Sequence, residues 1–222
     1  MPEKKQPSCE ATLSAGRFAA GEDPAKRDQI LEGAKRVFMT VGFDAASMND
    51  ITREAGVSKG TIYVYFENKD DLFAALMERE RLRLGQSMQN ILADIQSAEE
   101  GLRRYGIDFA LQVTKQETIF AMRTMVAVAT RMPKLSGRFF HDDTLNVRNV
   151  LERFLERQMA SGNLRIDDVK LAARQYIDLT TGSFLKMRLF GDMPTPPPRA
   201  EIESVVESGL KVFLAAYGPA PK

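Results

Sequence analysis

Between Ser47 and Lys69 the chain gathers polar side chains around two glycines, Gly56 and Gly60. Ser47, Ser58 and Thr61 carry hydroxyls, Arg53, Lys59 and Lys69 carry cations, and Tyr63 and Tyr65 carry phenols. Groups of these types hydrogen-bond phosphate oxygens, and hydroxyls, amines and methyls also read base edges. Bond-breaking chemistry is not legible here. The 222 residues include one His and one Cys, distant in sequence, and no glycine-rich phosphate loop. No Ser/His/Asp set, Cys/His zinc site or nucleotide cradle can be assembled from that inventory. The chain is expected not to be an enzyme, and neither a cofactor nor a metal is expected.

Stepping along the chain, helical periodicity dominates from Pro24 onward. Ile30, Ala34, Val37, Phe38 and Val41 form one amphipathic stripe, opened by Asp23-Pro24 and stopped by Gly42. Ser47-Met48-Asn49-Asp50 reads as a capping box that starts a short helix, and Gly56 ends it. Ser58 caps another short helix with Ile62 and Phe66 on its apolar side. Two short helices joined through a glycine turn make the helix-turn-helix pattern, whose second helix enters the major groove. Lys59, Gly60 and Thr61 then fall in the first turn of the reading helix. Gly60 permits close approach, and Thr61 offers a hydroxyl or a methyl. Tyr63 and Tyr65 lie two residues apart on a helix, so both cannot face the core. Arg53 can meet a phosphate or pair with an acid. Asn68 opens a fourth helix, expected to run to about residue 95 with a possible break at Gly85.

These residues carry a resemblance. The run Ile30-Leu31-Glu32-Gly33-Ala34, Phe38, Gly42-Phe43, Ser47-Met48, Asp50-Ile51, Ala55-Gly56-Val57-Ser58-Lys59-Gly60-Thr61-Ile62-Tyr63, Tyr65-Phe66, Asn68-Lys69 and Leu72 resembles the DNA-binding domain of TetR/AcrR-type regulators. The resemblance implies that Tyr63 contacts a phosphate or a thymine methyl and that Tyr65 faces the DNA backbone. It further implies that Lys69 clamps a phosphate and that Ser47 sits at a helix N-terminus near the duplex. Charge tempers this. Residues 1–68 hold nine basic groups against ten acidic ones. Affinity must rest on local placement of Lys26, Arg27, Arg53, Lys59 and Lys69, and a shallow salt slope is expected.

The second half continues as helices around Leu102–Val113, Ile119–Ala129, Leu135–Met159, Asp168–Phe190 and Arg199–Tyr217, with Thr195-Pro196-Pro197-Pro198 as a stiff linker. Met122-Arg123, Arg131-Met132-Pro133-Lys134-Leu135, Phe139-Phe140 and Gly162-Asn163-Leu164 resemble the C-terminal domain of AefR-like repressors. Phe109, Val113, Met122, Met125, Phe140, Phe154, Tyr176 and Phe184 can be packed core. They can equally line an adaptable pocket, since methionine re-packs around varied ligands, and the resemblance implies such an effector cavity. Arg123 and Arg174, on largely apolar helices, can pair with an acidic ligand or a neighbouring carboxylate. The last two helices carry Leu171, Ile177 and Leu185, and Ile202, Val206, Leu210 and Phe213. The resemblance implies that these faces meet a second copy to form a homodimer.

Composition agrees with a soluble globular chain: 44% hydrophobic, 27% charged, formal net charge +1. One cysteine forms no internal disulfide, and Cys9 is a spectator. No run of 18 apolar residues exists, so no membrane partner is expected, and the chain is expected in the cytoplasm. The expected architecture is all-α, of about nine helices. Residues 1–23 form a mobile arm, 24–70 a three-helix helix-turn-helix domain, and 71–222 a helical effector-binding and dimerisation domain. The expected partners are double-stranded operator DNA and a small-molecule effector. The expected function is a bacterial repressor released from a palindromic operator by a largely apolar molecule. The alternative is a helical interaction module, or an activator, without an effector.

Overall fold

A computed structural model of the chain describes Ala19, residues 21–131 and residues 145–219. Each of its first four helices is started by a side chain that satisfies otherwise orphaned amides. Asp23 Oδ1 accepts from the Ala25 and Lys26 amides to open α1, Pro24–Val41. Ser47 and Asp50 exchange hydrogen bonds in a reciprocal capping box that opens α2, Met48–Ala55. Ser58 opens α3, Lys59–Tyr65, and Asn68 opens α4, Lys69–Leu92. Gly56, at φ 64, turns the chain between α2 and α3 in a conformation that L side chains rarely adopt.

The break expected at Gly85 does not occur, and α4 ends at Leu92 rather than near residue 95. Gly85 has a packing role instead. The Leu145 carbonyl lies so close that a Cβ at residue 85 would collide with it. Beyond α4 follow α5, Ala98–Val113, and α6, Gln116–Val128. Then come α7, Val147–Ala160, α8, Val169–Phe190, and α9, Arg199–Tyr217. The described residues therefore contain nine helices and no strand. The helix expected over Leu135–Met159 is described only from Val147, because residues 132–144 lie outside the described residues, as do residues 1–18 of the expected arm.

The helices bury two main cores. The first gathers Ile30, Leu31, Phe38, Phe43, Ile51, Ile62, Phe66 and Phe73 from α1 to α4 and the intervening turns. Phe38, Phe43 and Phe73 meet with ring centroids 4.9–5.6 Å apart, a spacing at which tilted and edge-on aromatic pairs attract beyond their area. Gly33 lets α1 cross α2 closely: a Cβ there would stand 2.7 Å from Ala55 Cβ. Met125 and Val128 of α6 complete this same core. The second core joins α4, α5, α7, α8 and α9 around Leu102, Tyr105, Leu151, Phe154, Tyr176 and Phe213. Its phenols are satisfied, Tyr105 donating to Val147 O at 3.0 Å and Tyr176 to Leu102 O at 2.7 Å. Burial pushes both phenols well above their ordinary pKa, so they remain donors.

Two arginines tie helix ends together. Arg188, 1% exposed, donates to Thr114 O at the end of α5, to Met193 O and to Gln116 Oε1. Arg123 donates to Arg188 O and Leu189 O at the end of α8. Cations at these positions satisfy carbonyls that the helices leave unpaired and oppose the negative ends of the helix dipoles.

Candidate nucleic-acid interface

The α2–turn–α3 unit rests on Ile51, Ala55, Ile62 and Phe66, each 5% exposed or less. That anchoring turns the opposite side of α3 to solvent: Lys59 and Gly60 are exposed, Tyr63 is 47% exposed and Val64 50%. Tyr65 is half-buried, packed beside the first core. Their spacing required that both not face the core, and Tyr63 is the outward one. Lys59 is exposed and has no ion-pair partner among the described residues. Its charge is therefore free to meet a phosphate or a base edge.

The hydroxyls have other duties. Ser58 Oγ accepts the Thr61 amide at 3.0 Å and lies 2.7 Å from Thr61 Oγ1. Ser47 Oγ donates to Asp50 Oδ2 at 2.6 Å and accepts the Asp50 amide. Arg53 takes the second of its two expected roles, pairing with Asp50 Oδ1 at 2.7 Å, while its side chain stays 78% exposed. The Ser47 hydrogen bond, and then that of Arg53, hold the Asp50 carboxyl below its ordinary pKa. An exposed arginine held by so mobile a contact can still turn to a phosphate.

Lys69 departs from its expected role. Its Nζ donates to Phe43 O at 2.7 Å, Ala46 O at 2.9 Å and Asp44 O at 3.0 Å, and sits 4.7 Å from the Phe43 ring centroid. An ammonium has three protons, and all three are directed at the loop between α1 and α2. In this conformation the side chain is a latch on that loop and has no donor left for a phosphate. Of the four α1 cations, Lys35 pairs with Glu80 at 2.7 Å, Arg36 with Glu54 at 2.5 Å, Arg27 lies over the Phe66 ring, and the exposed Lys26 donates to the neutral Gln29 Oε1 at 2.9 Å. The outward side of α3 thus combines the uncommitted Lys59 with the exposed Tyr63 and Val64, and the exposed Arg53 stands beside it on α2.

Comparison with known proteins decides the identity of this architecture. Residues 30–76 match the bacterial regulatory proteins of the tetR family, and residues 100–219 match the C-terminal domain of AefR-like transcriptional repressors. The chain belongs to the TetR family of DNA-binding transcriptional repressors. An HTH-type transcriptional repressor of Mycobacterium tuberculosis is 27% identical over 187 residues, covering 84% of this chain and 94% of its own. A TetR-family regulator from Mesorhizobium loti superposes with a TM-score of 0.81 at 23% identity, covering 87% of this chain and 97% of that one. A flavonoid-responsive regulator superposes with a TM-score of 0.66 at 29% identity, covering 89% and 99%.

In this TetR-family chain the residues expected around an effector do not line one cavity. Phe109, Val113, Phe154 and Tyr176 are buried in the second core, and Met122 packs against it. Met125 belongs to the first core and Phe184 to a small third cluster with Ala110, Ile202 and Val206. Phe154 presses on Gly101 so closely that a Cβ there would collide with its ring. Phe140 lies outside the described residues. The set is close-packed here, and sequence could not separate core from pocket because both demand the same apolar residues. An open cleft of about 570 Å³ lies elsewhere, lined by Asn90, Asp94, Ser97, Glu100, Arg104 and Asp108 at the α4–α5 corner. Arg123 spends its donors on the end of α8, and Arg174 is exposed.

The expected dimer face also needs correction. Ile202, Val206, Leu210 and Phe213 are each 2% exposed or less. They point into their own protomer, where Val206 packs against Gly106 of α5. Ile177 and Leu185 pack beside the second core. Leu171 alone of the seven is exposed, at 42%, and it shares the outward side of these helices with Leu179 at 38% and Val212 at 54%. Sequence reasoning did not single out Val64, Leu179 and Val212, which the structure leaves exposed. The available signal was their helical position, opposite the residues that anchor each helix.

Proposed function

We propose that this protein is a homodimeric cytoplasmic repressor that leaves a palindromic operator when a small, largely apolar molecule enters its C-terminal domain. The exposed side of α3 supports the reading most directly, for it sets Lys59, Gly60, Thr61, Tyr63 and Val64 together at the head of the fold. Such a helix inserts in the major groove, with Arg53 and Tyr65 beside it toward the backbone. Replacing Lys59 and Tyr63 together by Ala should lower affinity for an operator duplex at least tenfold while the circular dichroism spectrum and the oligomeric state persist. Undiminished binding by that double variant would refute this assignment of the interface.

The dimer proposed here uses the outward sides of α8 and α9, with Leu171, Leu179 and Val212 against the second copy. Two-fold pairing matches the two half-sites of a palindrome. The effector proposed here is apolar. Methionines at 122, 125, 159 and 187 give the helices of this half side chains that re-pack readily, and a similar protein is described as flavonoid-responsive. Entry must part the contacts around Phe154 and Tyr176. Met125 and Val128 stand in the core of the reading head, and Arg131 pairs with Asp44 at 3.0 Å. A displaced α6 therefore carries the head with it.

A further inference from the structure

Among the described residues, buried side-chain polar atoms are partnered with one exception, Arg148 Nε and Glu152 Oε1 on α7. Elsewhere in the C-terminal half Arg188, Tyr105 and Tyr176 each reach an acceptor, and Gln158 Oε1 accepts from Asn163 at 2.8 Å. Arg148 and Glu152 stand one helical turn apart, with Nε and Oε1 3.2 Å from each other but without the alignment of a hydrogen bond. The Glu152 side chain is 13% exposed and that of Arg148 35%. A carboxylate and a guanidinium so placed lose water without regaining full hydrogen bonding, and an orphaned pair of this kind calls for a partner. The same side of α7 continues, two and three turns further on, into Leu155 and Met159. Leu155 is buried in the second core, and Met159 packs against it. One side of α7 therefore carries a polar pair at its partly exposed start and an apolar strip behind it, ended by a methionine that can re-pack.

We propose that Arg148 and Glu152 form the polar end of the effector site, and that the effector carries a neutral hydroxyl, an alcohol or a phenol, on an apolar body. The two orphans are one donor and one acceptor 3.2 Å apart, so a single ligand atom must serve both. A hydroxyl oxygen accepts from the guanidinium N–H while its own proton goes to the carboxylate. A ligand carboxylate has no proton for Glu152 and repels it. A ligand ammonium has no lone pair for Arg148. The pair is neutral overall, which suits an uncharged ligand. The apolar body lies along Leu155 and Met159. The inference rests on the effector reading above and deepens it by naming the chemical class of the effector.

The test keeps the apolar body of a probe and exchanges only its hydroxyl for a methyl of similar size. The full chain is titrated calorimetrically with naphthol and methylnaphthalene, and with phenylphenol and methylbiphenyl. In at least one pair the hydroxyl member should bind about tenfold more tightly or better, the ratio expected of a hydrogen bond to a charged group. Arg148→Met with Glu152→Leu should level the two members. The same double variant should unfold at no lower denaturant concentration than the parent, since a misaligned, desolvated ion pair adds little to stability. Glu152→Gln keeps the shape and one acceptor oxygen, and should give an intermediate preference. Methyl members that bind as tightly as their hydroxyl partners, or a preference that survives the double substitution, would overturn this inference alone. Binding of no member of either pair would overturn the apolar-effector reading and this inference together.

Discussion

At the scale of single residues, Lys69 shows how one side chain can change its role without changing its position. A lysine at the start of a helix next to a reading unit invites a phosphate. Here the same ammonium closes the α1–α2 loop onto α4 through three backbone carbonyls. Replacing it by Met keeps the apolar stem and removes the donors, leaving carbonyls of Phe43 and Ala46 without their partner. The unfolding free energy should drop by about 2 kcal/mol, since hydrogen bonds from a charged group contribute about 1.5–3 kcal/mol each and these carbonyls can partly rehydrate. Denaturant titration measures it. Unchanged stability with weakened DNA binding would restore the phosphate role. The capping residues behave differently, and their roles were legible beforehand. Ser47 with Asp50, Ser58 and Gly56 each act within four residues of themselves, so spacing alone fixes their partners. Lys69 finds its carbonyls more than twenty residues away, and no local pattern encodes that.

At the scale of elements, the contact between α1 and α4 is held by charge as well as by the aromatic core. Arg79, 9% exposed at its side chain, pairs with Asp28, Glu32 and Glu80, and Arg83 reaches the same three carboxylates, while Lys35 meets Glu80. Three cations face three anions, so the network is neutral and every member is engaged. Burial by itself would raise the Glu32 carboxyl. The Arg83 hydrogen bond and the charges of Arg79, Lys35 and Arg83 outweigh it and bring the pKa below its ordinary 4.5. The folded chain therefore binds fewer protons at Glu32 than the unfolded chain. Its stabilising contribution is complete above about pH 4.5 and is lost as pH falls through the lowered folded value. Glu32→Gln should remove part of the acid dependence of stability below pH 5 in pH-dependent thermal melts. A variant whose melting temperature tracks the parent across that range would show that the network is dispensable. Sequence patterns place Asp28, Glu32 and Lys35 on one helix and Arg79, Glu80 and Arg83 on another, but say nothing of how the two helices cross.

At the scale of the whole molecule, helix type and order were legible from apolar periodicity, and the partner of each apolar face was not. The stripe Ile202, Val206, Leu210 and Phe213 has the spacing of an interface, and α5 within the same protomer covers it. Gly106, small enough to admit Val206, was the clue. The same ambiguity governs the effector residues, because Phe154 and Tyr176 would look alike in a core or a cavity. If an effector couples to operator release, linkage requires each ligand to weaken the other by one common factor. Calorimetric titration of an effector into the free and the operator-bound chain should give affinities differing by that factor, and identical affinities would refute the coupling. The central claim is that two copies of the chain place two copies of α3 in the major groove of one operator. Hydroxyl-radical footprinting of a selected duplex tests it most directly. It should show two symmetric protected patches one DNA turn apart, about 34–36 Å between centres, both lost with Lys59→Ala/Tyr63→Ala. A single patch, or protection that survives the double substitution, would contradict it.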